Sequence, residues 1–428
     1  MDQLQTLLLK RLKNEFKLAT GCTDPAAIAS AVARAGTRLN ERERNRLRKI
    51  EVSLSPNIFK NGYMVDIPGI SEKGLPIAAA LGFVIGRPEL GFEIFTELKP
   101  DDVIKAKELV AANQVTVRQI DYGTGLTINV RLLTANNEVE VSVKNDYLNT
   151  CLVRENGRVV FQQDPQEQET DLLLHQGVKF QDLVQFIESI PVEELSFIEQ
   201  GLEINQQFVA EGMRSPKGLR IGRTLQDQFA SVDDVGMKIR MQTAGGVDSR
   251  MGGSTLPVMS SAGSGNLGLG ASIPLLVVVE HYAFSKEKLL RSTALANLIH
   301  VYAKELTGRL TSVCGGVLVA MGTSAAIVWL LDGNRQQMAS AIGHVAANLT
   351  GMICDGANYG CSFKVSTSAA EAYYAAVLAL NGKGGDPAVG IVAEDIDQTI
   401  RNVIDIFVDM NKVDPAIVQA MSGVPRFI

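Results

Sequence analysis

The sequence has few of the residues that would mark several common classes of protein. Its 428 residues include four histidines, one tryptophan and five cysteines. The net charge is -6, from 41 basic and 47 acidic side chains, so no basic excess predicts binding to nucleic acid or an anionic membrane. An odd number of cysteines excludes a fully paired disulfide framework. What remains is an ordinary globular protein, long enough for a large core and two domains.

Long hydrophobic runs are also missing. The most apolar stretch, residues 271–280, is too short to span a membrane, which takes about 20 residues. The opening segment, MDQLQTLLLKRLKNEF, carries both charge signs in a helical pattern and lacks the apolar core and cleavage site of a signal peptide. We therefore expect a cytoplasmic protein, in which cysteines stay reduced.

Strand and helix patterns occupy different parts of the chain. Alternating apolar residues form several short runs between residues 114 and 163, whereas segment 55–62 has the Pro, Asn and Gly of a turn. Helical patterns lie at 75–84, 101–112, 182–189, 193–212, 286–306, 313–331, 335–348, 366–380 and 396–410. The predicted fold class is α+β: a large all-helical catalytic domain (1–45 plus 168–428) with an inserted smaller α+β domain (46–167).

A glycine- and serine-rich run, MGGSTLPVMSSAGSGNLGLG, occupies residues 251–270. Glycines let backbone N–H groups approach an anion, and a following helix start adds its positive dipole end. The run is not a P-loop, since no Gly-Lys-Ser/Thr follows, and it lacks the βαβ context of a dinucleotide fingerprint. It predicts a carboxylate or phosphate site, with close packing of small residues as the alternative. The candidate substrate-binding residues here are Ser260, Ser264, Gly265, Asn266 and Arg250.

Three of the cysteines lie where thiolates are commonly stabilised. Cys354 and Cys361 share a loop between two predicted helices, and Cys314 stands at the start of another. Three thiolates suit a [4Fe-4S] cluster with one iron lacking a cysteine. A zinc ion with one further ligand and inert buried thiols are the alternatives, and the spacing leaves all three open.

Several short motifs follow one another in a distinctive order. They are GCTDP (21–25), SPNIFKNG (55–62), GLPIAAALG (74–82), DSRMGGSTLP (248–257), GSGNLG (263–268), and MICDGA (352–357) with Cys361. In this order they resemble the L-cysteine desulfidase family, formerly an uncharacterised family, which is related to the α part of iron–sulfur L-serine dehydratases. The resemblance covers essentially the whole chain, and the joint occurrence of the motifs is far more specific than any one of them.

The resemblance implies an oxygen-sensitive [4Fe-4S] enzyme that removes the β-substituent of a small amino acid without pyridoxal phosphate. By position, the cluster ligands would be Cys314, Cys354 and Cys361, and the catalytic base would be Cys22. Cys22 precedes a predicted helix start, where the helix dipole stabilises a thiolate; a small apolar residue at a helix entrance is the alternative. Lys60 either binds the substrate carboxylate or is a solvated loop lysine.

The predicted reaction converts L-cysteine to pyruvate, ammonia and sulfide. L-serine dehydratase is the first alternative, since a hydroxyl would leave from the same position. A non-catalytic binding protein, with zinc on three cysteines, is the second. A pyridoxal-phosphate lyase is disfavoured because no lysine, Lys364 included, stands in a Schiff-base context. The expected partners are a small amino acid and a second copy of the chain in a homodimer, but neither nucleic acid nor membrane.

Overall fold

The computed structural model describes residues 2–19, 23–70, 72–96, 98–120, 125–164, 172–382 and 389–423. The helices are α1 (Gln3–Glu15), α2 (Thr23–Gly36), α3 (Glu41–Arg44), α4 (Pro56–Gly62), α5 (Leu75–Ile85), α6 (Pro100–Ala111), α7 (Phe180–Ser189), α8 (Phe197–Gly212), α9 (Ile221–Phe229), α10 (Val235–Met251), α11 (Gly265–Tyr282), α12 (Lys286–Lys304), α13 (Gly316–Leu330), α14 (Arg335–Leu349), α15 (Cys361–Leu380), α16 (Ile396–Met410) and α17 (Asp414–Ser422). The strands are β1 (Leu18–Ala19), β2 (Leu47–Leu54), β3 (Val115–Gln119), β4 (Thr127–Thr134), β5 (Glu138–Lys144), β6 (Thr150–Glu155), β7 (Arg158–Gln162) and β8 (Val258–Met259).

The larger sheet has the strand order β3-β2-β4-β5-β6-β7. Its β2–β3 pair is parallel and its other pairs are antiparallel. Alternate residues of β2, namely Ile50, Val52 and Leu54, are buried, and α2 and α5 cover this face. On the other face Arg131 lies opposite Glu51 and also pairs with Glu138 at 2.5 Å. One apolar and one charged face are typical of an antiparallel sheet with helices on one side.

The helical part of the chain is organised around α12. This helix is buried over most of its length, from Leu290 to Lys304, and packs against α13 and α11. A helix that is buried on nearly all sides belongs to the centre of a domain. Helices α1, α7, α8 and α16 also contact α12, whereas α10, α14 and α15 pack against α11 or α13. None of the described helices is long and apolar enough to cross a membrane.

The path of the first forty residues differs from the prediction. Helix α1 packs in the helical core through Leu8, Leu9 and Leu12, and β1 pairs with β8. Helix α2, which we had assigned to the same domain, instead covers the sheet through Ala27, Ile28 and other small apolar residues. The chain is mixed α and β, as predicted, and the larger sheet lies within residues 47–162. Its division into one domain inserted in another stays a proposal.

Two further corrections concern helices. Segment 55–62 was predicted to be a turn, but residues 56–62 form α4, because Pro56 suits the first helical turn. The glycine-containing helix α10 was not predicted, because its glycines lower helix propensity. Helix α9 packs closely at Gly245 of this helix, since a Cβ on Gly222 would lie 2.4 Å from the Gly245 nitrogen. Packing therefore overrides the local preference.

A buried ion pair joins the sheet-containing part to the last helix. Lys60 in α4 places its ammonium 2.5 Å from Asp414 Oδ1 and 3.1 Å from the Thr311 carbonyl oxygen. The two side chains are 0% and 5% exposed. Removing one partner of such a pair leaves a charge buried without compensation, which is far more destabilising than loss of an exposed pair.

We expect Asp414→Asn to lower the free energy of unfolding by about 3–5 kcal/mol, because the Lys60 ammonium stays buried without its carboxylate. Urea unfolding followed by circular dichroism measures the change. Lys412→Gln is the matched control, since its ion pair with Asp409 is exposed, and it should cost no more than about 0.5 kcal/mol. Equal effects of the two variants would show that the buried pair does not stabilise the fold.

Candidate functional site

Two segments that are distant in sequence lie side by side. Val313 and Ile353 form an antiparallel bridge. The Cys314 N–H donates to the Met352 carbonyl at 2.8 Å, and the Cys354 N–H donates to the Ser312 carbonyl at 2.7 Å. These main-chain bonds place Cys314, just before α13, beside Cys354.

The loop from Cys354 to Cys361 folds back on itself. Lys364 pairs with Asp355 across the loop, and Asn358 Oδ1 accepts the Gly360 N–H at 2.7 Å. Cys361 is the first residue of α15. Its thiol donates to the Gly356 carbonyl at 3.6 Å, which keeps the sulfur beside the loop.

Position 356 requires a glycine for two reasons: its backbone conformation and the closeness of a neighbouring carbonyl. Its φ is 90°, a left-handed value that favours glycine. A Cβ at this position would also lie 2.2 Å from the Lys60 carbonyl oxygen. The loop that carries two cysteines therefore rests directly on α4.

Burial and neighbouring thiols affect the ionisation of Cys314 and Cys361. Burial, followed by the charges of Cys354 and Cys361, raises the pKa of Cys314 to about 12. Burial, followed by the charge of Cys354, raises the pKa of Cys361 to about 11. Thiols arranged in this way stay protonated at neutral pH unless added positive charge stabilises the thiolates together, as a metal centre does.

The glycine-rich run forms a tight turn followed by a helix. Ser261 and Ser264 exchange two backbone hydrogen bonds of 3.1 and 3.0 Å. Between them Ala262 and Gly263 have φ values of 47° and 78°, the combination needed by a two-residue type I′ turn. Helix α11 begins at Gly265, and the Ser264 side chain makes no capping hydrogen bond. The first N–H groups of a helix have no acceptor within it, so this end of α11 can receive an anion.

Other contacts of this run are structural. Ser260 donates through both its N–H and its hydroxyl to the Lys17 carbonyl, at 2.9 and 2.6 Å. A Cβ on Gly268 would lie 1.9 Å from the Met259 carbonyl oxygen, so α11 and β8 pack closely there. His300 places Nδ1 2.8 Å from Ser261 Oγ beneath the turn, and burial lowers the pKa of this histidine to about 3. The run thus serves packing as well as lining a cavity.

A cavity of about 130 Å³ lies between the cysteines and this turn. It is lined by Thr23, Asp24, Asn61, Tyr147, Arg250, Ala262, Gly263, Ser264, Asn266, Leu267, Lys304, Arg309, Leu310, Thr311, Val313, Cys314, Gly315, Cys354, Gly356, Ala357, Cys361 and Val365. Pockets for drug-sized ligands measure about 300–1,000 Å³, so this cavity suits a much smaller molecule.

Most of the predicted site residues lie on this cavity. Cys314, Cys354 and Cys361 share it with Arg250, Ser264 and Asn266. Gly265 does not line it, but it lies against Arg250, since a Cβ there would be 2.6 Å from Arg250 Nε. Cys22 lies outside the described residues, although the next two residues, Thr23 and Asp24, line the cavity.

Two predicted substrate-binding residues are placed elsewhere. Ser260 is buried and hydrogen-bonded to Lys17, away from the cavity lining. Lys60 is neither a solvated lysine nor a cavity residue, because Asp414 and Thr311 hold its ammonium. The partner that determines its position is 354 residues away in sequence, which is why a local motif could not reveal it.

Sequence reasoning missed some charged and polar cavity residues. Arg309 lines the cavity while pairing with Glu15 at 3.1 Å. The hydroxyl of Tyr147, from the sheet-containing part, donates to Asp24 at 3.3 Å. Lys304, the last residue of α12, also lines the cavity and is 8% exposed. A lysine at the end of a helix is usually solvated, so no signal in the sequence distinguished it.

A [4Fe-4S] cluster and a single metal ion require different spacings between their ligands. Among the residues that the structure describes, no three His, Cys, Asp or Glu side chains are grouped closely enough to hold one metal ion. The thiolates of a [4Fe-4S] cluster bind different irons and therefore lie farther apart than ligands of one ion. Three thiols line one cavity, and bound cations would lower the raised pKa values of Cys314 and Cys361, so the residues present fit such a group.

Comparison with known proteins gives consistent matches. A family model described as the serine dehydratase alpha chain matches residues 90–419. A UPF0597 protein of Clostridium tetani is 35% identical, over 97% of this chain and 98% of its own. The UPF0597 protein YhaM of Salmonella typhimurium is 34% identical, over 96% of each chain. A UPF0597 protein of Clostridium botulinum is 36% identical, over 94% of this chain and 93% of its own.

The contact of Gly356 with α4 leads to a prediction. Gly356→Ala should lower the free energy of unfolding by more than about 1 kcal/mol, because alanine disfavours the left-handed φ and its Cβ meets the Lys60 backbone. Urea unfolding measures the cost, and amide hydrogen exchange in the 352–361 segment should locate it. Gly351→Ala is the control, since a Cβ there meets no atom within 4 Å. Equal stability and exchange in both variants would contradict the close packing of this loop.

Proposed function

Because this chain belongs to the serine dehydratase alpha-chain family, we propose that it is an iron–sulfur lyase that removes the β-substituent of a small amino acid, with L-cysteine as the substrate. The family supports a lyase of the serine dehydratase type. The observation that carries the iron–sulfur part of the proposal is that Cys314, Cys354 and Cys361 line one small cavity. The choice of L-cysteine follows from the resemblance carried by the ordered motifs. That cavity also has a helix N-terminus and polar side chains suited to a small charged molecule.

The proposed ligands of a [4Fe-4S] cluster are these three cysteines. Backbone pairing of 312–314 with 352–354 holds two of them, and the start of α15 holds the third. The chemistry that a bound cluster supplies is Lewis-acid activation of the β-leaving group by the iron that lacks a cysteine. The chain's own residues must then bind the amino acid and move its proton.

Binding and orientation of the substrate are assigned to polar residues of the cavity lining. Ser264, Asn266 and Arg250 line the cavity, together with the first turn of α11. The Asn266 amide nitrogen lies 3.5 Å from Met251 Sδ, while its buried Oδ1 has no hydrogen-bond partner among the described residues. An unpaired buried carbonyl oxygen is costly, and an ammonium group of the substrate would satisfy it.

The proton at Cα needs a base, and Cys22 is the proposed one. Its neighbours Thr23 and Asp24 line the cavity, which supports this assignment. When the base takes the Cα proton, the electron pair of that C–H bond forms the Cα–Cβ double bond. The Cβ–S bond breaks, and its electron pair leaves with sulfur as hydrosulfide. The aminoacrylate tautomerises to an imine, which water converts to pyruvate and ammonia.

L-Serine is the second candidate substrate, favoured by the description of the matching family. Its hydroxyl would leave from the position taken by the thiol of L-cysteine, with the same proton removed. The residues that line the cavity make the same contacts with the carboxylate and ammonium groups of either amino acid.

The activity itself is the first test of this proposal. Protein reconstituted with iron and sulfide without oxygen should form pyruvate from L-cysteine in preference to L-serine, and should lose this activity in air. Pyruvate and sulfide are measured separately. Preference for L-serine would assign the second candidate, and absence of pyruvate from both amino acids would reject the lyase.

The cysteine assignments have a test that is independent of turnover. Serine in place of Cys314, Cys354 or Cys361 should each reduce bound iron and sulfide and the broad visible absorption of the anaerobic protein. Cys151→Ser is the control, because Cys151 lies in β6 of the sheet and not on the cavity. A variant of the three that retains the full wild-type iron content and spectrum would remove that cysteine from the proposed site.

A further inference from the structure

Two of the lysines that the structure describes are buried, and their surroundings differ. Lys60 has the carboxylate of Asp414 at 2.5 Å. Lys304 is 8% exposed and lines the cavity, yet it forms no ion pair or side-chain hydrogen bond with any residue that the structure describes. Burial of an ammonium without a partner costs free energy of folding, and an anionic ligand in the cavity would offset that cost.

The pKa of Lys304 depends on burial and on the charges around it. Burial lowers the pKa of Lys304 to about 8, and Arg309 and Lys60 act in the same direction, whereas thiolate charge at Cys354 and Cys314 opposes it. Its position in the last turn of α12 favours a cation through the helix dipole, but only modestly. An anion entering the cavity would therefore gain an interaction that Lys304 lacks within the described protein.

The other cations of the cavity are in different circumstances. Arg309 already pairs with Glu15 at 3.1 Å and lies 3.8 Å from Asp146. Arg250 lies against α11, where a Cβ on Gly265 would be 2.6 Å from its Nε. Lys304 thus combines burial, exposure to the cavity and freedom from any described carboxylate.

We infer that Lys304 binds the carboxylate of the amino-acid substrate, while Asn266 Oδ1 accepts a hydrogen bond from the substrate ammonium. This inference rests on the proposed function, since it takes the ligand to be an amino acid. The two unpaired groups are complementary to the two charges that every such substrate carries. Neither contact involves the β-substituent, so both position the molecule without selecting between a thiol and a hydroxyl.

Binding of L-alanine tests this inference, because L-alanine has both charged groups but no leaving group. Isothermal titration calorimetry on anaerobically reconstituted protein should show Lys304→Gln weakening L-alanine binding by about 10- to 100-fold, the usual range for loss of a hydrogen bond to a charged group. Lys304→Arg should restore part of the affinity. Lys286→Gln, on the exposed start of the same helix, should bind as the wild type does.

A second ligand identifies the group that Lys304 contacts. L-Alaninamide lacks the carboxylate charge, so the preference of the wild type for L-alanine over L-alaninamide should be lost in Lys304→Gln. A role as counterion to the cluster would instead change iron content or the visible spectrum and leave this preference intact, which would overturn the inference. Unchanged L-alanine binding in Lys304→Gln would also overturn it.

Stability gives a readout that separates ligand binding from a structural role. Lys304→Met removes an unpaired buried charge, so the apo protein should unfold at the same or a higher temperature than the wild type. A marked fall in the unfolding temperature would mean that Lys304 is structural, and would reject the inference. Because these measurements need no turnover, wild-type protein that binds L-alanine but forms no pyruvate would reject the lyase and leave Lys304 to be judged by its variants. Wild-type protein that forms pyruvate but fails to bind L-alanine would reject the inference and leave the lyase standing.

Discussion

The position of the candidate site depends on a pair of backbone hydrogen bonds between segments 312–314 and 352–354. Side chains could not do this alone, because burial favours neutral thiols that attract one another only weakly. Main-chain pairing places two cysteines before any ligand arrives, and the start of α15 adds the third. Such a framework limits the rearrangement needed for binding, and preorganisation of this kind is what makes a ligand site effective.

Close backbone contacts extend this framework in two directions. On one side Gly356 rests on the Lys60 carbonyl, which links the cysteine loop to the sheet-containing part. On the other side α11 approaches β8 at Gly268, which sets the glycine-rich turn against the cavity. The cavity therefore lies where three separately built pieces of backbone meet. This arrangement explains why its lining residues come from positions as distant as Thr23 and Val365.

The sequence allowed some features to be predicted, and the reasons are local. Helix α16 has a clear apolar periodicity, and its predicted range of 396–410 agrees with the structure. The order of the motifs identified the family. The three cysteines that this resemblance assigned to the site line one cavity. By contrast, the role of Lys60 depends on Asp414, and the surroundings of Lys304 depend on α11 and α13 packing around α12. Contacts between residues far apart in the chain leave no periodic signal, so such roles escaped a reading of motifs.

The ion pair between Lys60 and Asp414 also sets an order of events during synthesis. Its partners are 354 positions apart, so the pair forms only after residue 414 has left the ribosome. Until then the Lys60 ammonium cannot form its ion pair with Asp414, so burial of α4 is unfavourable. Gly356, which lines the cavity, packs against the carbonyl of the same lysine, so this contact is also completed at that late stage. All three cysteines of the cavity are therefore synthesised before the ion pair that holds α4 against their loop can form.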